Sequence, residues 1–318
     1  MQKSLAQIFN EMAAAAHEAF PEELKNLVVL IIPSGTPIYV SPEIADHLSN
    51  NVAAVKRAVE ERTNYMRAND FGGVASDDYP LAEATVKMLA MLALDEKSGG
   101  IHSPRYTKEM RAIADLDHEI GHLIVENGFS SSVACEHLAE CAADAYAALR
   151  HIQHFGRKTD YFEYCTYVDQ VVLGLSPKHY TDAVTQRVKQ LAGETDISGL
   201  SLRETAALAG KIALECSLDD KTLEKISVAF SPAANAFKEA GELDDAVFLN
   251  CIEVMLEHKD DPDVYRAGER FLNRPDIKEY LENKAKTDPY WRNALDFIEN
   301  HKIKPVKKQT ATQSLAKK

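Results

Sequence analysis

Residues 117–122 read DHEIGH. His118 and His122 stand four apart, and Glu119 directly follows the first histidine. On a helix, positions i and i+4 stack on one face, so both imidazoles can aim at one point. That is the arrangement that chelates Zn²⁺, with the glutamate beside a metal-bound water. Zinc lowers the pKa of such a water, and the carboxylate can take its proton as it attacks a carbonyl carbon. Five residues in this pattern also arise by chance, so a third ligand on a second element is the test.

The elements that must position these residues are two helices. The first is expected from Thr107 to Asn127, entered at Ser103-Pro104 and ended by Asn127-Gly128, with Ile113, Leu116, Ile120, Leu123 and Ile124 as its core stripe. The second starts after the FSSS of residues 129–132 and runs to about His154, stopped by Gly156. Its apolar face carries Ala134, Leu138, Cys141, Ala145, Leu149 and Ile152. If the chain folds back as an antiparallel hairpin about the serine-rich turn, His122 faces Glu140 and His118 faces Asp144 across the same midpoint, residue 131. Glu140 and Asp144 are themselves four apart, so both lie on one face.

This double registry selects Glu140 over its rivals. Glu136 lies ~6 Å further along the axis and would face Glu126. His137 sits close to the turn and His151 too far along; both are expected as surface or half-buried histidines. Cys141 adjoins Glu140 but points ~100° away around the helix, and it and Cys135 are expected as small core residues.

HEIGH followed by ECAAD resembles the gluzincin branch of zinc metallopeptidases, whose motif is HExxH plus ExxxD on a later helix. The resemblance covers residues 118–144 and names no subfamily; the thermolysin-like group carries Asn before its glutamate ligand, where this chain has Ala139. It implies one zinc held by His118, His122 and Glu140, with Glu119 as general base and Asp144 hydrogen-bonded to His118. A carboxylate in that last role fixes the histidine tautomer and raises its basicity. Peptide hydrolysis also needs a donor for the oxyanion. LSPKHYTDAV offers His179 and Tyr180 for it; Tyr161, Tyr164 and Tyr167 are alternatives, though YFEYCTYV reads as an aromatic packing face. In gluzincins a strand edge pairs with the peptide substrate, and GGIHS (99–103) or residues 37–41 could serve here.

The rest of the chain sets the frame. Its 318 residues include 36 Lys plus Arg against 49 Asp plus Glu, a net charge of −13 that argues against nucleic-acid binding. No apolar run approaches the ~20 residues of a membrane span. Leu5, Ile8, Phe9 and Met12 recur at helical spacing among polar residues, which predicts an amphipathic structural helix and not a signal peptide. The five cysteines are odd in number and scattered without CxxC, which fits reduced thiols in a cytosol; export without a cleaved signal is the alternative.

The expected fold class is α+β and mainly helical. A zincin-like domain over residues 1–192 has a small β-sheet built on LVVLIIP (27–33) and PIYVS (37–41). Residues 43–68 and 81–97 read as helices, separated by the glycine-rich DFGGVASDD. GETDISG (193–199) is the expected hinge to an all-helical part over 193–301, broken at Ser231-Pro232, Asp261-Pro262 and Arg274-Pro275. From Lys302 on, six lysines without an acid predict a disordered basic tail.

The function expected is zinc-dependent hydrolysis of a peptide or protein substrate. One alternative is a zincin scaffold that recruits partners without catalysis. Another is a carboxylate-bridged di-iron bundle, which needs a second ExxH that the chain lacks.

Overall fold

The computed structural model describes residues 3–32, 36–50, 79–81, 84–86, 88–93, 103–125, 133–165 and 168–300. The separator DFGGVASDD, expected as a loop or a short strand, the helix beyond Asn50, residues 99–102, the serine turn and the basic tail lie outside them. By its contacts the chain divides into two compact units, residues 1–171 with 175–224, and 172–174 with 225–318.

The first unit opens on helix α1 (Leu5–Ala19), capped by Ser4 in a reciprocal capping box with Gln7. Phe9, Met12, Ala13 and Ala16 form its buried face, as an amphipathic structural helix requires. Strands β1 (Leu27–Ile32) and β2 (Thr36–Val40) then pair antiparallel, the hairpin read from the sequence. Helix α2 (Pro42–Asn50) follows, and strands β3 (Tyr79–Leu81) and β4 (Ala84–Val86) make a separate small hairpin.

Strand β5 (Met88–Ala93) pairs parallel with β1, Leu27 opposite Met88 through Ile32 opposite Ala93, giving the order β2-β1-β5. The described residues within 81–97 are strands, which corrects the helix expected there. A strand in a parallel pair carries a continuous apolar run, and MLAMLA has no period that separates such a run from a buried helix. β1 shows the same property, since consecutive Leu27, Val28 and Val29 are all fully buried.

Helix α3 (Lys108–Val125) starts where the Thr107 hydroxyl accepts from the Met110 amide at 3.3 Å. Ile113, Leu116, Ile120 and Ile124 are buried as expected, and Leu123 packs at the margin. Helix α4 (Val133–Phe155) ends at Gly156, whose φ of 74° only glycine adopts without strain and whose amide bonds Ile152 O at 2.8 Å. Between α4 and the next long helix lie two short ones, α5 (Tyr161–Tyr164) and α6 (Val168–Val172), then a 3₁₀ turn at Pro177–His179. Helices α7 (Asp182–Glu194) and α8 (Leu202–Cys216) close the unit, and α8 packs on α4. Residues 193–199, read as a hinge, thus fall inside the first unit.

Among the described residues of the second unit are helices α10 (Ser231–Ala240), α11 (Asp245–Glu257), α12 (Pro262–Leu272), α13 (Pro275–Ala285) and α14 (Pro289–Asn300), preceded by α9 (Asp220–Ala229), which spans the boundary. The Pro breaks at 232, 262 and 275 are helix starts, where the missing N–H costs nothing. The described part of the protein is therefore mostly helical with small sheets. No described helix is long and apolar enough to cross a membrane.

Two features of α3 and α4 have measurable consequences. Gly121 lies where the helices touch: a Cβ there would fall 2.9 Å from Ala143 Cα and 3.2 Å from Tyr146 Cβ. Ala would ordinarily strengthen a helix by ~1 kcal/mol, but the obstacle here is backbone. Gly121→Ala is expected to destabilise the fold by about 1–3 kcal/mol in urea unfolding.

His151 is the second feature. Expected at the surface or half-buried, it is 1% exposed, stacked on Tyr161 at 4.2 Å and bonded to the Thr159 hydroxyl at 2.7 Å. The sequence misled because the aromatic cover comes from α5, ten residues later. Burial pushes its pKa from 6.5 down to about 3. The unfolded chain therefore takes up a proton below pH ~6.5 that the folded chain refuses, so this contribution is full above that pH and lost as pH falls toward 3. Stability should fall by up to about 1.4 kcal/mol per pH unit from this group, and His151→Phe should flatten that acid limb in unfolding measured from pH 7 to 4.

Candidate metal centre

Helices α3 and α4 bring three donors together. His118 Nε2, His122 Nε2 and a Glu140 carboxylate oxygen all lie within 4.8 Å of one another, the one such group of three or more among the described residues. Each Nε2 stands 3.5 Å from Glu140 Oε2, and the two Nε2 atoms are 3.1 Å apart. The ring planes cross at 89°, so the two imidazoles converge edge to face.

Asp144 sits one turn beyond Glu140 and takes the other side of His118, its Oδ1 2.7 Å from Nδ1. A carboxylate can only accept, so Nδ1–H donates to Asp144, and Nε2 is the ring atom that faces Glu140. Both registry pairs expected from the sequence, His122 with Glu140 and His118 with Asp144, are in contact. Glu119 lies between the histidines on α3 and is 7% exposed, its charge close enough to act on His118.

The electrostatics are those of buried charges that hold one another. Burial alone would lower the His118 pKa, but Asp144, Glu140 and Glu119 hold it well above the ordinary imidazole value. Burial alone would raise Glu140, but the imidazoles of His118, His122 and His179 hold it well below the usual carboxylate range. Glu140 Oε2 is buried and has three ring nitrogens at 3.2–3.5 Å, with a hydrogen bond of good geometry to none. Such an oxygen is costly unless something else binds it. A divalent cation among these three donors would supply that partner.

Asp117 shows what a fully provided acid looks like in the same helix. On another side of α3 it meets Arg150 Nε at 3.5 Å and His154 Nε2 at 3.2 Å. The face that carries the two imidazoles and Glu140 has three buried acids, Glu119, Glu140 and Asp144. Among the described residues Lys178 is the permanent cation that reaches them, 3.3 Å from Glu140 Oε1.

Lys178 belongs to the 3₁₀ turn within LSPKHYTDAV, the segment expected to supply the oxyanion donor. His179 Nδ1 lies 3.2 Å from Glu140 Oε2, which brings this oxyanion candidate to the centre. Its neighbour Tyr180 is buried, 8% exposed. The Thr181 hydroxyl donates a short hydrogen bond to Asp144 Oδ2. Lys178 and Thr181 went unnoticed because they lie roughly 40 residues from Glu140 and Asp144 and carry no helical registry with them.

Two earlier expectations change or hold by the same geometry. His137, expected at the surface or half-buried, is fully buried: its Nδ1 donates to Lys178 O at 2.8 Å, which the sequence could not show without that turn. Cys141 is a core residue as expected, and burial raises its thiol pKa well above 9.0. The side chain of Cys135 and that of Tyr167 lie outside the described residues. Tyr161 and Phe162 are buried packing residues.

Comparison with protein-family models, with curated proteins and with solved structures finds no match to this chain.

The arrangement predicts one divalent cation per chain. Zinc titrated calorimetrically should bind at one equivalent, Glu140→Ala should abolish that binding, and Asp144→Asn should weaken it about 10–100-fold. Undiminished binding by Glu140→Ala would place the metal elsewhere.

Proposed function

We propose that this protein is a zinc-dependent peptidase of the gluzincin type, with a zincin-like arrangement in its first unit. The observation that carries this reading is the buried Glu140 Oε2 facing both Nε2 atoms, with Asp144 on the far nitrogen of His118. Three protein ligands and a neighbouring acid are the set that hydrolytic zinc sites use, since a fourth position stays open for water. Zinc bound there would acidify a water and polarise a peptide carbonyl.

The protein's own residues divide the remaining work. Glu119, on the residue after the first histidine, takes the proton from the attacking water and delivers it to the leaving amine. Asp144 keeps Nδ1 of His118 protonated and the ring in place. His179, with its side chain 24% exposed beside Glu140, is the group placed to donate to the oxyanion. Of the two outer strands, β2 packs on α1, whereas β5 packs on α3, the helix of the histidines. The outer edge of β5 is therefore better placed than residues 37–41 to align an extended peptide.

The test separates chemistry from binding. Glu119→Gln should keep one zinc per chain and lose hydrolysis by at least about 100-fold, followed by mass spectrometry of peptide-library cleavage. Equal cleavage by wild type and variant would refute the assigned base. A zinc-loaded wild type that cleaves nothing would favour the non-catalytic scaffold.

A further inference from the structure

The turn at 177–181 touches every acid that carries the metal set on α4. Lys178 Nζ reaches Glu140 Oε1 at 3.3 Å and Glu136 Oε2 at 3.9 Å. Thr181 is 2% exposed and donates to Asp144 Oδ2. It is also the N-cap residue of α7, yet its side chain makes no capping bond. A threonine at an N-cap ordinarily contributes about 1 kcal/mol by accepting from the helix; here the hydroxyl is committed to Asp144 instead.

The turn is tied down from α4 by a chain of hydrogen bonds. A carbonyl only accepts, so His137 Nδ1–H donates to Lys178 O, and Nε2 is left to accept from Cys141 Sγ–H at 3.5 Å. All three side chains that fix the turn from within, His137, Cys141 and Thr181, are buried. Pro177 at its start fixes φ, and the Tyr180 amide closes back on Pro177 O at 3.1 Å.

From this geometry we infer that Lys178 and Thr181 are positioning residues that set the metal affinity of the site in opposite directions. Thr181 acts through Asp144: with Oδ2 engaged, Oδ1 is held on His118 and the ring is aimed before metal arrives. Lys178 acts through Glu140: it occupies Oε1, so Oε2 alone faces the imidazoles. The ammonium also opposes a second cation nearby, so Lys178 lowers affinity while holding Glu140 to one donor oxygen. That restraint leaves a coordination position that a second carboxylate oxygen would otherwise fill. The inference rests on the reading of the site as a metal centre and is independent of peptide hydrolysis.

Zinc affinity of the full chain, by competition with a chromophoric chelator, tests it. Thr181→Val should weaken zinc about 10–100-fold, and Thr181→Ser, which keeps the hydroxyl, should restore it. Lys178→Met should tighten zinc about tenfold, and Lys178→Arg, which keeps the charge, should not. A merely structural role predicts loss of affinity in both, in step with the thermal midpoint of the metal-free proteins. Any outcome in which Thr181→Val and Lys178→Met fail to move in opposite directions overturns the inference. A wild-type chain that binds no zinc overturns the metal reading, and this inference with it.

Discussion

The close approach of α3 and α4 at Gly121 governs the site. The missing side chain lets Ala143 come against the α3 backbone, at a distance a Cβ would not permit. Because both helices repeat every 3.6 residues, that one contact sets which residues meet on either side of it. His118 and His122 flank Gly121, and Glu140 and Asp144 flank Ala143. A wider spacing would leave the imidazoles and carboxylates out of bonding range.

The second constraint is charge. Burying carboxylates costs several kcal/mol each unless they are paired, and this hairpin buries Asp117, Glu119, Glu140 and Asp144. Asp117 is answered by Arg150 and His154 and needs nothing further. Glu140 and Asp144 are answered mainly by imidazoles, which are weak permanent partners but good metal ligands. A site left in this state by the fold is organised for an added cation, and the same low dielectric strengthens whatever charge that cation acts on.

How much of this was legible follows from the range of each interaction. The i, i+4 pairs and the hairpin registry are local, so His118, His122, Glu140 and Asp144 could be placed from spacing alone. Helix ends at Thr107 and Gly156 were readable for the same reason. Strand β5 was not, because Met, Leu and Ala favour helices and only its partner β1, about 60 residues away, makes it a strand. His137 and His151 were misjudged since their covers, Lys178 O and Tyr161, arrive from later segments. The segment of the turn at 177–181 was legible as a source of His179 and Tyr180 after the Ser176-Pro177 break, but the contacts of Lys178 and Thr181 with Glu140 and Asp144 needed tertiary structure.

X-ray absorption spectroscopy of the zinc-loaded protein tests the account at its centre, because it reads donor types directly. Two imidazoles, one carboxylate oxygen and one exchangeable water oxygen at about 2.0–2.1 Å are the predicted shell. Sulfur at about 2.3 Å, or a third imidazole closing the shell without water, would contradict it.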